Sequence, residues 1–205
     1  MIEKKIYKEM DIHLIEDEKP SEYFNSLDKS IFKIEPFTML ERLKFTEQSP
    51  IYHPEGNVWN HTMLVVDHAA KMKSKSSDER AFMWGALLHD LGKPDTTRNL
   101  NGRITSYDHD KIGAKLAKKF LKQLDDDQLF TEKVTSLVRW HMQILYVVKG
   151  LPFANIERMK RETSINDVAL LGLCDRLGRT NSQLEKEEEH IKIFINKCKK
   201  VILNI

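Results

Sequence analysis

The chain has 205 residues, enough for one large domain or two small ones with a proper core. It is 40% hydrophobic and 31% charged, as in ordinary soluble proteins, and its net charge of +2, spread along the chain, gives no DNA-binding or membrane signal. No apolar run reaches the roughly 18 residues of a membrane span, and no signal peptide is recognised. Cys174 and Cys198 lack metal-type spacing. We therefore expect a cytoplasmic protein in a reduced compartment.

Helical periodicity dominates the chain, and the few glycines and prolines fall at breaks between segments with a 3.6-residue hydrophobic period. Asn60, Asp78, Asn155 and Asn166 are predicted to cap helix starts. The predicted helices span Pro20–Leu27, Asn60–Lys73, Asp78–Leu91, Ser106–Leu124, Leu129–Val147, Asn155–Arg161, Asn166–Leu177 and Thr180–Leu203. One short strand pair is expected around Asn101–Thr105, so the fold class is all-α.

The segment ALLHDLGKPDTT combines metal-ligand chemistry with a cation. Its apolar helix runs into adjacent His89 and Asp90, which are ligand types for hard-to-borderline metals. Lys93 follows three residues after Asp90, and Gly92 is predicted to let the backbone turn close to whatever the metal holds. This combination indicates metal-assisted chemistry on an anion. The alternative for Lys93 is a solvated loop lysine.

Five predicted helices each direct one imidazole or carboxylate toward an apolar face. A single histidine there is usually a satisfied core residue, whereas a buried carboxylate needs a partner or a cation. Five such positions in five helices favour a shared polar site in the bundle core. The residues are His61, His89, His109, His141 and Asp175.

The order His61, His89-Asp90, Asp175 resembles the H…HD…D signature of the HD superfamily of metal-dependent phosphohydrolases. The resemblance covers approximately Ile51 to Arg179 and implies an all-α HD-domain helical bundle. It also implies that these four residues, called here the metal quartet, bind a divalent ion. Nitrogen and oxygen ligands suit iron, manganese, nickel, cobalt or magnesium, and the sequence does not rank these metals.

The segments PSEYFNSL, HPEGNVWNHTMLVVDHA, ALLHDLGKP and YDHDKIGAKLA are similar to the C-terminal part of bacterial CCA-adding tRNA nucleotidyltransferases that carry an HD domain. That resemblance implies phosphatase and 2′,3′-cyclic phosphodiesterase activity. No Gly-Ser phosphate loop with paired aspartates is found, so CCA addition is not implied. We predict a helical neck-like segment at 1–50, an HD phosphohydrolase domain at 51–180 and a C-terminal helix at 181–205 that packs on the bundle.

The ligand set suggests a mechanism, and the resemblance implies roles for residues near the quartet. Asp90 would orient or deprotonate the attacking water, and Lys93 would neutralise a phosphate oxygen. His109 and His141 match positions that bind either a second metal or the substrate phosphate. Without a second ion, their imidazoles would donate to the phosphate or protonate the leaving oxygen. Phosphate contact is favoured because a further paired histidine of the two-metal type is missing. Arg179 either clamps phosphate or caps a helix end.

Other polar and aromatic residues are predicted to lie outside the metal site. His68 is about 10 Å along the helix from His61, too far to hold the same ion, and is expected to be structural or exposed. His53 precedes Pro54 and is expected in an extended loop, as a structural or rim residue. The tryptophans are expected in the core or the pocket wall: Trp59, Trp84 and Trp140.

The leading hypothesis is a phosphohydrolase acting on a small nucleotide or on the phosphate at an RNA end. The alternatives are a non-catalytic RNA-binding module and a domain that senses a nucleotide without turnover. The complete ligand set favours the enzyme. Residue types do not choose between phosphomonoesters and phosphodiesters, because both reactions use the same metal chemistry, and the oligomeric state is left open.

Overall fold

The computed structural model of the protein describes residues 2–125 and 127–202. The α-helices of these residues are α1 (Ile2–Glu16), α2 (Pro20–Ser26), α3 (Thr38–Lys44), α4 (Val58–Ala70), α5 (Glu79–Leu88), α6 (Lys93–Thr96), α7 (His109–Lys122), α8 (Gln128–Trp140), α9 (Gln143–Val148), α10 (Ile156–Glu162), α11 (Ile165–Leu177) and α12 (Leu184–Lys200). One hairpin, β1 (Thr97–Leu100) and β2 (Arg103–Ser106), joins α6 to α7. The all-α prediction is confirmed. None of the described helices is both long enough and apolar enough to cross a bilayer.

The bundle is a chain of packed pairs in which α7 lies on α8, α8 on α5, α5 on α4, and α4 on α11. α1 packs on α5 and α2 on α4, so the N-terminal helices share the main core. α1 was missed by the sequence analysis because its buried stripe is narrow and lies among charged residues: Ile6, Tyr7, Met10 and Leu14. The predicted boundaries at residues 50 and 180 remain predictions, and the predicted helix end at Leu203 lies outside the described residues.

Two of the four predicted helix caps are correct. The Asp78 side chain accepts from Ala81 N, and that of Asn155 accepts from Arg158 N. The predictions for Asn60 and Asn166 are wrong, because α4 and α11 begin earlier. Asn57 and Ser164 have the extended backbone that an N-cap needs, and their side chains accept backbone N–H groups of the first turn.

Two predicted helices are broken at histidines of the candidate site. The segment predicted at Asp78–Leu91 ends as a helix at Leu88, and His89 starts a turn that leads to α6. The segment predicted at Leu129–Val147 divides into α8 and α9 around His141. Hydrophobic spacing continues through both breaks, so periodicity alone could not locate them.

The hairpin has the register Thr97 with Ser106 and Leu100 with Arg103, close to the predicted strand pair. Asn101 and Gly102 form its turn with φ of 52° and 80°, the left-handed conformation that these residues favour. Because β2 ends at Ser106, three residues before α7, the hairpin brings the start of α7 to the site.

Gly92 has a different role from the predicted one. Its φ of −83° is ordinary, so the turn itself does not require glycine. A Cβ at this position would lie 2.1 Å from His109 O and 2.5 Å from Gly113 N. Gly92 therefore permits close contact between the turn after α5 and the first turn of α7, which holds His89 next to His109.

Candidate metal centre

Six buried side chains from five parts of the bundle meet at one point. The residues are His61 from α4, His89 and Asp90 after α5, His109 at the start of α7, His141 after α8 and Asp175 from α11. The most exposed of them, Asp175, has a relative exposure of 8%. The structure thus brings together every residue that the sequence placed on the inward faces.

The members of the metal quartet lie within reach of a common ion. His61 Nε2 lies 3.0 Å from Asp175 Oδ1, and His89 Nε2 lies 3.2 Å from Asp90 Oδ2. His61 Nε2 and Asp90 Oδ2 are 4.0 Å apart. Ligand atoms of His61, His89 and Asp90 all lie within 4.8 Å of one another.

Backbone hydrogen bonds fix the tautomer of three histidines in the same way. Nδ1 of His89, His109 and His141 lies 2.8, 2.6 and 2.7 Å from the carbonyl oxygen three residues earlier in the chain. A carbonyl only accepts, so Nδ1 carries the proton and Nε2 presents a lone pair to the centre. This is the orientation that metal-binding histidines need.

Two ligand atoms of the quartet, His89 Nε2 and Asp90 Oδ2, are buried without a hydrogen-bond partner. Lys93 Nζ lies 2.7 Å from Asp90 Oδ2 but outside hydrogen-bonding geometry. A buried lone pair without a donor is costly. A divalent cation would satisfy both atoms, and the mixed nitrogen and oxygen donor set fits such an ion.

Both carboxylates of the quartet are held in the ionised form. Burial favours their protonated form, but the neighbouring His89 ring and the Lys93 ammonium outweigh it and hold the pKa of Asp90 well below its usual range. At Asp175 the charge of Arg179 and the hydrogen bond with His61 outweigh burial, and the pKa of this carboxyl is also well below its usual range. Ionised carboxylates are the form that binds metal.

His109 and His141, called here the histidine pair, lie on the other side of Asp90. Their Nε2 atoms are 3.2 Å apart, and they lie 3.5 and 4.0 Å from Asp90 Oδ1. Burial lowers the pKa of both rings, and that of His141, which also lies next to His109 and His89, falls to about 3. Neutral rings with protonated Nδ1 present two lone pairs, which a cation satisfies and a phosphate oxygen does not. The geometry thus favours the second-metal alternative over phosphate contact.

Lys93 is buried, with a relative exposure of 8%, so the alternative of a solvated loop lysine is wrong. Its Nζ donates to Gln48 Oε1 at 2.5 Å and lies beside Asp90. Gln48 comes from the segment after α3 and was not found by sequence reasoning, because a single glutamine in a loop carries no pattern. The contact keeps a positive charge at the floor of the site.

Arg179 follows the end of α11. Its Nη2 lies 3.7 Å from Asp175 Oδ2, and its Nε is buried without a hydrogen-bond partner. An unpartnered guanidinium donor next to the centre is available to an anion. This observation favours the phosphate-clamp alternative over the helix-end cap.

Glu55 is a further functional residue that the sequence analysis missed. Its Oε1 accepts from His61 Nδ1 at 2.8 Å and also lies 2.8 Å from His53 Nδ1. The side chain of Glu55 is only 2% exposed. Burial favours the protonated acid, but the two histidine hydrogen bonds outweigh it and lower the pKa of Glu55. A carboxylate behind a ligand histidine orients the ring and raises its basicity. The HPEG motif contained the signal, but only His53 was noted there.

The residues predicted outside the centre lie outside the quartet and the histidine pair. His53 is half-buried at the cleft and contacts Glu55, and burial lowers its pKa to about 4. His68 is half-buried on α4. The tryptophans are buried core residues, each with its indole N–H bonded to a side chain: Trp59, Trp84 and Trp140.

A cleft of about 700 Å³ leads to the centre. Asp90, Lys93 and Arg179 line its polar floor together with Asp175 and the histidine pair. One side is apolar and is formed by residues of α9 and the loop after it: Leu145, Tyr146, Leu151, Pro152 and Phe153. The arrangement can accept an anion at a buried, cation-lined floor and a larger organic group above it.

Comparison with known proteins supports this interpretation. The family model for the HD domain matches residues 58–180 of the chain, which include every residue of the quartet and the histidine pair.

Curated relatives include proteins named multifunctional CCA protein. The protein of Aromatoleum aromaticum is 28% identical over 186 residues, which are 87% of this chain and 44% of the relative. The protein of Methylococcus capsulatus is 26% identical over 179 residues, which are 87% of this chain and 36% of the relative. That of Actinobacillus pleuropneumoniae (serotype 5b) is 30% identical over 107 residues, or 52% and 26%. The chain thus spans less than half the length of each of these relatives.

Proposed function

This chain belongs to the HD domain family, which indicates the superfamily of metal-dependent phosphohydrolases, and from that premise we propose that it hydrolyses a phosphomonoester or cyclic phosphodiester of a nucleotide or RNA end. The observation that carries the proposal is the pair of buried ligand atoms without a hydrogen-bond partner, His89 Nε2 and Asp90 Oδ2, of which Asp90 lines a cleft that also contains Lys93 and Arg179. A purely structural polar cluster would have satisfied these atoms with donors from the protein.

The metal quartet would hold one divalent cation. When bound, that cation supplies Lewis acidity toward the phosphoryl group and a water molecule of lowered pKa. Asp90 Oδ1 faces the histidine pair, and from that position Asp90 would orient the attacking water. The remaining work falls to side chains that bind and orient the phosphate.

Lys93 and Arg179 are the anion-binding groups of the proposed site. Lys93 Nζ is positioned by Gln48 and neutralises a phosphate oxygen as a point charge. Arg179 has an unpartnered Nε and offers a directed donor beside Asp175. Burial of Lys93 strengthens its interaction with the charge that develops on the phosphoryl oxygens.

The histidine pair and Asp90 would form a second cation position, since their ligand atoms lie within 4.8 Å of one another. We favour this role because both Nδ1 protons are already donated to the backbone. Two Nε2 lone pairs 3.2 Å apart repel unless a cation lies between them. Two neighbouring ions would share Asp90, as in two-metal phosphoryl-transfer sites.

The test is a metal-by-substrate screen of the purified protein with phosphomonoesters, phosphodiesters and 2′,3′-cyclic nucleotides. Asp90→Ala is expected to lower kcat/KM by at least about 100-fold. Asp167→Asn is the control, because Asp167 of α11 is a buried carboxylate that lies away from the centre and accepts from Ser77 N. Hydrolysis by Asp90→Ala at the wild-type rate would refute the assignment.

A second candidate function, RNA binding without turnover, is favoured by one observation on α7. Lys111, Lys115, Lys118 and Lys122 are exposed and spaced by four, three and four residues, so they form a row along one face of the helix. Lys111 lines the cleft, where it also pairs with Asp108. The row therefore begins at the site and matches the backbone charge of a nucleic acid strand.

The two candidates are separated by measuring RNA binding and hydrolysis in the same variants. The double variant Lys115→Ala, Lys118→Ala is expected to reduce the slope of log RNA affinity against log salt concentration by about 2, one for each lost phosphate contact. Lys192→Ala with Lys199→Ala on α12 is the control, since both lysines are exposed away from α7. RNA binding through α7 with no hydrolysis under any metal would favour the binding module.

A further inference from the structure

The apolar side of the cleft takes no part in the proposed phosphoryl chemistry. It is formed mainly by Tyr146 on α9 and Phe153 in the loop between α9 and α10. The two rings are 5.6 Å apart between centroids at an interplanar angle of 60°. Tyr146 is half-buried, whereas Phe153 has a relative exposure of 61%. A large aromatic side chain is thus left open to solvent beside the candidate metal centre.

The loop that carries Phe153 is held in place by a buried side chain. Gln143 Nε2 donates to Phe153 O at 3.4 Å, and Gln143 Oε1 accepts from Asn155 N at 2.8 Å. The loop also returns to α9 at its start, where Leu151 N donates to Tyr146 O at 2.8 Å. These bonds fix the backbone on both sides of the ring. The backbone that carries Phe153 is therefore preorganised beside the cleft.

The chemistry of this wall is that of a stacking platform for a planar ligand. Aromatic faces in a cleft with cations bind nucleobases by stacking, with little dependence on base identity. Lys149 lies in the same loop and lines the cleft, as does Arg139 of α8. A volume of about 700 Å³ greatly exceeds that of a phosphate group and suits a ligand with a second, larger part.

We propose that Tyr146 and Phe153 form a base-binding subsite that selects nucleotides over alkyl and sugar phosphates. The inference rests on the proposed function, because it takes the phosphoryl group to lie at the metal centre. The base then covers the exposed ring of Phe153 while the phosphate meets Lys93 and Arg179. The sugar spans the distance between the floor and the wall.

The test compares adenosine 3′-monophosphate and 2′,3′-cyclic AMP with glycerol 2-phosphate. Phe153→Ala is expected to raise KM for the nucleotides by about 10-fold or more, the effect of losing one stacked base. kcat/KM for glycerol 2-phosphate is expected to stay within twofold of the wild type. Phe153→Tyr keeps the ring and is expected to restore nucleotide affinity. Phe45→Ala, which removes an exposed phenyl ring outside the cleft, is expected to leave KM and kcat/KM unchanged for the nucleotides and for glycerol 2-phosphate.

Equilibrium binding of adenosine 3′-monophosphate in the presence of a chelator separates this inference from the proposed function. If no ester is hydrolysed but Phe153→Ala still weakens nucleotide binding, the subsite stands and the hydrolase proposal fails. The subsite would be overturned if Phe153→Ala lowered kcat/KM equally for the nucleotides and for glycerol 2-phosphate, or lowered it for neither. The subsite would also be overturned if the wild type were a dimer and the Phe153→Ala variant a monomer, because the ring would then belong to a contact between subunits.

Discussion

Glu55 offers a sharp test of how the candidate centre is built, because it contacts a ligand histidine without belonging to the quartet. Its buried Oε1 accepts from His61 Nδ1 at 2.8 Å, while its Oε2 is buried with no hydrogen-bond partner. Glu55→Gln keeps the size of the side chain and an oxygen that can still accept. It removes the negative charge and places an amide N–H where no acceptor is available.

The expected result for Glu55→Gln is a divalent-metal affinity lower by about 10- to 100-fold, the usual effect of changing a carboxylate behind a metal-bound histidine. This corresponds to about 1.4 to 2.7 kcal/mol of binding free energy. Calorimetry or competition with a chelating dye measures the affinity. Catalysis at saturating metal is expected to fall much less, because Glu55 does not contact the phosphate floor.

His53→Ala is the matched control for this experiment. It removes the other partner of Glu55 Oε1 but leaves the contact with His61, so the loss of metal affinity is expected to be smaller than in Glu55→Gln. Wild-type metal affinity in Glu55→Gln would refute the claim that His61 is oriented for metal binding by this carboxylate.

Three further predictions address the rest of the molecule. His109→Ala is expected to lower the bound metal from two ions to one per chain by elemental analysis, and an unchanged ratio would contradict the second cation position. Gly92→Ala is expected to lower the free energy of unfolding in urea by about 2 to 3 kcal/mol, since its Cβ would overlap backbone atoms of α7. Burial raises the pKa of Asp125, but the hydrogen bonds it accepts from Asp127 N and Arg80 outweigh burial, so its pKa is lower than usual. The ionised carboxylate therefore stabilises the folded protein above about pH 4, and this stabilisation is lost as the pH falls further. Asp125→Asn is expected to show a smaller loss of stability than the wild type between about pH 5 and pH 2, and identical acid melting curves would contradict this.

The sequence predicted the inward direction of the site residues but not the backbone that presents them. His61 and Asp175 lie inside helices, where periodicity determines the face. His89 and His141 directly follow helices, and each bonds back to the carbonyl three residues earlier. That bond selects the lone-pair tautomer. Apolar spacing contains no information about it, because the spacing continues unchanged past the helix end.

The supporting residues were hidden because their contacts depend on how loops fold back onto the bundle. Glu55 meets His61 only because a loop turns before α4, and Gln48 meets Lys93 across 45 residues. Neither lies on a periodic face. The role of Gly92 was misassigned for the same reason, since its close neighbour is the backbone of α7. Local pattern thus predicted the elements and the site chemistry, while the contacts that tune the site depend on tertiary packing.

The most direct measurement is anomalous diffraction from crystals of the protein grown with manganese(II). The account predicts a peak bonded at about 2.0 to 2.4 Å to the metal quartet, His61 Nε2, His89 Nε2 and carboxylate oxygens of Asp90 and Asp175. A crystal with no peak at this position, or with a peak whose ligands leave out His61 and Asp175, would contradict it.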